Sequence, residues 1–119
     1  MYYIEIISLE GCPYSIAAEK LVENNNINNK IFKIKYNNRN DHKNERISTF
    51  PQIYLKKKDS DGRLLVGGYD KLNEIKNLIK NRKSTKETYD SLVDKISKKF
   101  SPTDDFNKKS VLRLIQLFI

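Results

Sequence analysis

Cys12 is the one cysteine among 119 residues, and its surroundings, Gly11-Cys12-Pro13-Tyr14-Ser15, suit nucleophilic thiol chemistry. Residues 2–9 ahead of it are apolar and β-branched, which predicts a buried strand ending near Ser8. Behind it, Ile16, Ala17, Lys20, Leu21 and Glu23 have helical spacing with an apolar side, which predicts a helix from Pro13 to Glu23. Cys12 then lies at a helix N-terminus, where unpaired backbone N–H groups and the helix dipole favour an anion over a neutral thiol. Pro13 suits the first helical turn, where a missing N–H costs nothing. A lone cysteine can also be a small residue filling a core. Its place at a strand-to-helix junction favours the reactive reading.

The rest of the chain must position that group. Asn24-Asn25-Asn26 breaks the helix, and Ile31, Phe32, Ile34 and Tyr36 predict a second strand with Lys33 and Lys35 on its other face. Residues 37–48 are polar, with room for a short helix over Asp41–Ile47. Thr49-Phe50-Pro51 punctuates the chain before a third strand, Gln52-Ile53-Tyr54-Leu55. Asp59-Ser60-Asp61-Gly62 is a hairpin turn leading into Leu64-Leu65-Val66, the fourth strand. Gly67-Gly68 ends that strand, and Asp70 is placed to cap a helix with Leu72, Ile75, Leu78 and Ile79 on one face. The order β-α-β-(α)-β-β-α predicts an α/β fold: a parallel pair joined by a right-handed crossover, extended by an antiparallel hairpin.

Residues 1–82 form that unit, and residues 83–119 read as a helical C-terminal extension. Ser84 and Glu87 predict a capping box, followed by an amphipathic helix through Tyr89, Leu92, Val93, Ile96 and Phe100. Ser101-Pro102 interrupts it. Thr103-Asp104-Asp105 is expected to restart a helix carrying Phe106, Val111, Leu112, Leu114, Ile115, Leu117 and Phe118. The last stretch is too apolar for water and must pack on the same domain, a second copy in a homodimer, or another protein. Docking on the same domain is the favoured reading.

The formal charge is +8, but the lysines are scattered rather than gathered on a stripe, so no nucleic-acid partner is expected. A single cysteine excludes an internal disulfide framework. No apolar run approaches the roughly 20 residues of a membrane span, and no signal peptide is visible. The expectation is a cytoplasmic protein. His42 has no second ligand at a useful spacing and is read as a surface residue.

Three separated segments in order resemble the glutaredoxins, small members of the thioredoxin-fold superfamily: Gly11-Cys12-Pro13-Tyr14-Ser15, Thr49-Phe50-Pro51-Gln52-Ile53-Tyr54 and Gly67-Gly68-Tyr69-Asp70-Lys71-Leu72. The family forms look like Cys-Pro-Tyr-Cys/Ser, Thr-Val-Pro before an apolar strand, and Gly-Gly-x-Asp-Asp-Leu. The resemblance covers residues 1–82 and not 83–119. It implies a thioredoxin-like four-stranded mixed sheet flanked by helices, with Cys12 as the catalytic thiol and Pro13 and Ser15 in the active-site motif. It further implies a glutathione site made by Tyr14, Thr49, Phe50, a cis Pro51, Gly68, Tyr69 and Asp70. The backbone of Phe50 would pair with the cysteinyl part of glutathione. The N–H groups of Tyr69 and Asp70 would hold its γ-glutamyl carboxylate.

The sequence also departs from the family. Leu9, beside Glu10, stands where members usually carry a lysine that steadies the thiolate and meets a glutathione carboxylate; Lys20, Arg46 and Lys71 are candidates to replace it. Phe50 replaces a valine. With Ser15 and no second cysteine, the resemblance implies a monothiol route, the reduction of protein–glutathione mixed disulfides with glutathione as co-substrate. The Ser15 hydroxyl either caps the helix, the simpler role, or donates to the thiolate. Two alternatives remain open. One is a [2Fe-2S] carrier in which two copies each give Cys12 and a glutathione. The other is a non-catalytic adaptor that binds a partner through residues 83–119.

Overall fold

The alternation of buried and exposed positions organises the chain into a four-stranded mixed sheet with helices. The computed structural model describes residues 1–101 and 106–119. The strands are β1 (Tyr2–Leu9), β2 (Asn29–Ile34), β3 (Gln52–Lys57) and β4 (Arg63–Gly67), and the helices are α1 (Pro13–Asn24), α2 (Tyr69–Thr85), α3 (Tyr89–Ser97) and α4 (Lys108–Leu117). The sheet order is β2-β1-β3-β4. β1 runs parallel to β2 and antiparallel to β3, which in turn is antiparallel to β4. The register sets Ile6 opposite both Ile31 and Ile53. Among the described residues, no helix is long and apolar enough to cross a membrane.

Period-two alternation gives the sheet two unequal sides. Ile4 and Ile6 of β1, Ile53 and Leu55 of β3 and Val66 of β4 share the main core with Ala18, Leu21 and Val22 of α1 and Leu72, Ile75 and Ile79 of α2. That same core takes in Leu92, Val93 and Ile96 of α3 and Val111, Leu114, Ile115 and Phe118 at the chain's end. The opposite side is thin: Ile7, Ile34 and Tyr54 are buried there, with Leu9, Phe50 and Leu65 packed at its edge. A 3-10 helix at Tyr36–His42 follows β2, displaced from the expected Asp41–Ile47 helix; Asn44 Oδ1 instead accepts from the N–H groups of Arg46 and Ile47 and holds that stretch as a turn. Glu5 is buried and paired with Lys56 at 3.6 Å and Arg63 at 3.7 Å.

Several element ends differ from the sequence expectation. β1 continues to Leu9 and β2 starts at Asn29 and stops at Ile34, short of Tyr36. α2 is capped by Gly68 rather than Asp70, which lies inside its first turn and complements the helix dipole. Ser84 belongs to the end of α2, which closes on Lys86 in the left-handed conformation; the cap of α3 is Thr88, whose hydroxyl accepts from the Ser91 N–H. Glu87 binds Ser91 and Lys95 instead of completing a capping box. The expected helix restart at Thr103-Asp104-Asp105 lies outside the described residues, and α4 begins after Asn107, whose side chain caps it.

Candidate functional site

The junction of β1 and α1 is a tight backbone construction. The Cys12 N–H donates to Leu9 O at 3.2 Å, and the Ile16 N–H donates to Cys12 O at 3.1 Å, opening the helix. Cys12 is the N-cap and has no side-chain capping bond. Ser15 is fully buried, and its Oγ accepts from the Leu9 N–H at 3.0 Å. Both roles expected of Ser15 are thereby corrected: the hydroxyl receives the strand's last N–H, and no capping bond or bond to the thiol is formed. The physical reason is that an N–H at a strand end shielded from water needs an acceptor, and the buried Ser15 hydroxyl is the one in reach.

Cys12 is half-buried, with Sγ 3.9 Å from the carbonyl oxygen of Phe50, a long contact suited to a weak S–H donor. The Phe50–Pro51 peptide is cis. A groove of about 380 Å³ is lined by Tyr14, Thr49, Phe50, Pro51, Gly68, Tyr69, Asp70 and Lys71. The binding residues expected from the sequence therefore surround one groove; Cys12 is not in its lining and adjoins it through the 3.9 Å contact with Phe50. The rings of Tyr14 and Tyr69 lie 6.4 Å apart across it, tilted at 43°. Tyr14 is 60 % exposed, so its ring is open to an incoming molecule. Pro13 is exposed at the helix start.

Gly68 lines the groove and Gly67 precedes it, and the two differ in why they are glycine. Gly67 has φ +137, and a methyl there would meet Lys71 Cδ at 3.2 Å, so the chain itself requires glycine. Gly68 has an ordinary φ of −96, and a methyl would reach only Pro51 O at 3.8 Å. Position 68 is thus free to carry a side chain as far as the protein is concerned. The first turn of α2 follows immediately, and its earliest hydrogen bond is from the Leu72 N–H to Gly68 O, at 3.3 Å. The N–H groups of Tyr69, Asp70 and Lys71 precede that bond and have no intrahelical partner, which leaves an anion-favouring end on the groove.

Of the cations that the sequence left open, Lys71 lines this groove, Lys20 faces a separate one between α1 and α2, and Arg46 lies with Tyr54, Arg63 and Leu65 on the thin side of the sheet. Of the three candidate cations, Lys71 is thus the one at the groove. Among the described residues, no group of three or more His, Cys, Asp and Glu side chains is placed to hold a metal ion. Compared with protein-family models and with curated proteins, the chain matches none.

Proposed function

We propose that this chain is a glutaredoxin-like, glutathione-dependent thiol–disulfide oxidoreductase of the one-cysteine kind, built on a thioredoxin-like fold. The observation that carries the reading is the convergence of distant segments. Residues 14, 49–51 and 68–70 line one groove, with the only thiol of the chain beside Phe50. A cysteine at a strand-to-helix turn, 3.9 Å from the carbonyl oxygen of a groove residue, and a free helix N-terminus on that groove match a thiol nucleophile plus a carboxylate-bearing thiol ligand.

In the proposed reaction the Cys12 thiolate attacks the glutathione sulfur of a protein–glutathione disulfide. The new bond joins Cys12 to glutathione, and the protein leaves as a thiolate that takes its proton from water. A second glutathione thiolate then attacks the glutathione sulfur bound to Cys12. Glutathione disulfide leaves and Cys12 is restored, so one glutathione thiol is consumed for each protein thiol released. Ser15 cannot take the place of the second glutathione, because it carries no thiol and its oxygen is engaged by Leu9.

The test is glutathione release from a glutathionylated thiol, followed with the full chain and with Cys12→Ala. Turnover that vanishes in the variant supports the proposal, and an undiminished rate in Cys12→Ala sinks it. A visible absorption band after anaerobic reconstitution with iron, sulfide and glutathione, without turnover, would favour cluster carriage through Cys12 instead.

A further inference from the structure

Lys71 is held by a part of the chain that the glutaredoxin resemblance does not reach. Its ammonium lies 5.0 Å from the ring centroid of Phe100, just beyond α3. Phe100 is itself fixed by stacking on Phe106, with centroids 4.1 Å apart and planes at 7°. The neighbouring Lys99 ties this segment to α2 by a 2.8 Å ion pair with Glu74. Among the described residues, no carboxylate lies within ion-pair reach of Lys71. An aromatic ring positions an ammonium without neutralising it, whereas a carboxylate would hold it and cancel its charge. The Phe100 ring therefore places the Lys71 ammonium without cancelling its charge.

We propose that the C-terminal extension is a working part of the groove. Phe100 is a positioning residue that orients Lys71, and Lys71 pairs with a carboxylate of the bound glutathione. This inference rests on the glutathione reading of the groove and deepens it. It supplies the cation that Leu9 does not provide ahead of the cysteine. It also gives the stacked Phe100–Phe106 pair a role beyond covering the core.

The experiment measures glutathione affinity by calorimetry, and KM and kcat for deglutathionylation, in the full-length wild type, Lys71→Met, Phe100→Leu and Phe100→Tyr. Lys71→Met is expected to weaken glutathione binding roughly tenfold with kcat little changed, as loss of one charge-assisted contact. Phe100→Leu is expected to weaken it roughly threefold, and Phe100→Tyr, which keeps the ring, to restore wild-type affinity. Raising salt should weaken the wild type more than Lys71→Met. Wild-type affinity in both Lys71→Met and Phe100→Leu overturns the inference while leaving the proposed function standing. Should Phe100→Leu fail to fold, unchanged affinity in Lys71→Met alone overturns it. A wild type that neither binds glutathione nor turns over removes the proposed function, and this inference with it.

Discussion

Gly67 and its groove-lining neighbour Gly68 separate what the fold needs from what the proposed ligand needs. In Gly67→Ala the new methyl must adopt φ +137 and press on Lys71 Cδ at 3.2 Å. A side chain forced into that region costs about 1–3 kcal/mol. With a urea dependence of about 1–3 kcal/mol per molar, 2 kcal/mol lowers the unfolding midpoint by roughly 1 M. In Gly68→Ala the backbone is already in a conformation that alanine adopts, and the nearest atom, Pro51 O, is at an ordinary 3.8 Å. Its stability should stay within about 0.5 kcal/mol of the wild type, as for substitutions that meet no packed neighbour. The methyl instead narrows the groove beside Pro51. Overfilling a close contact costs about 1–3 kcal/mol, so under the proposed function glutathione affinity should fall between roughly 5-fold and 150-fold. Urea unfolding followed by circular dichroism, paired with calorimetric binding, reads both quantities. The reasoning fails if Gly68→Ala is as destabilised as Gly67→Ala, or if it binds glutathione as tightly as the wild type.

Other perturbations probe the supports of the site. Ser15→Ala leaves the partly buried Leu9 N–H without its acceptor and should cost about 1 kcal/mol in chemical denaturation; a neutral result would mean that Leu9 finds another partner. Hydrogen bonds from Lys95 and then Ser91 hold the Glu87 carboxyl below the usual carboxylate range. A group whose value is depressed in the folded state stabilises above the ordinary range and loses that contribution as pH falls through the folded value. Glu87→Gln should therefore flatten the dependence of melting temperature on pH below about 4, a range set by ordinary glutamate titration, and an unchanged slope would refute the link. Ending the chain before Asn107 removes Val111, Leu114, Ile115 and Phe118, each buried in the main core. At about 1.5–3 kcal/mol per buried side chain the loss is roughly 6–12 kcal/mol, comparable with the whole stability of a small domain. Such a fragment should show little native circular dichroism and no cooperative melt, and a folded fragment would contradict the shared core.

The strands and the site segments were readable because their signals are local. β-branched alternation marks β1 and β3, and Asp59-Ser60-Asp61-Gly62 marks the hairpin between β3 and β4. The clustering of residues 14, 49–51 and 68–70 was expected only through the family resemblance, since no periodicity brings segments so far apart to one groove. Features that depend on a distant partner were not readable. Ser15 looked like a cap because serine often is one, but its oxygen went to the orphaned Leu9 N–H across the turn. Ser84 resembled a helix start, whereas α2 runs past it because Lys86 supplies a left-handed stop without being glycine. Asp70 carries a capping side chain, yet Gly68 already occupies that position. Phe100 showed only as a hydrophobic position on a helix, and its contact with Lys71 exists only once α3 has packed beside α2.

The unequal faces of the sheet bear on how the groove behaves when empty. Its Tyr69–Lys71 wall opens α2, which is rooted in the main core through Leu72 and Ile75. Its Thr49–Phe50 wall belongs to a coil segment with no large core beneath it, and Phe50 packs only against the small cluster of Ile7, Ile34 and Tyr54. Local opening draws on the regions with the fewest buried apolar contacts. Amide exchange should accordingly be faster on the Phe50 side than along α2. A molecule bridging both walls would slow exchange mainly there, so occupancy of the groove is registered as a local gain in order on one bank while the other stays as it was.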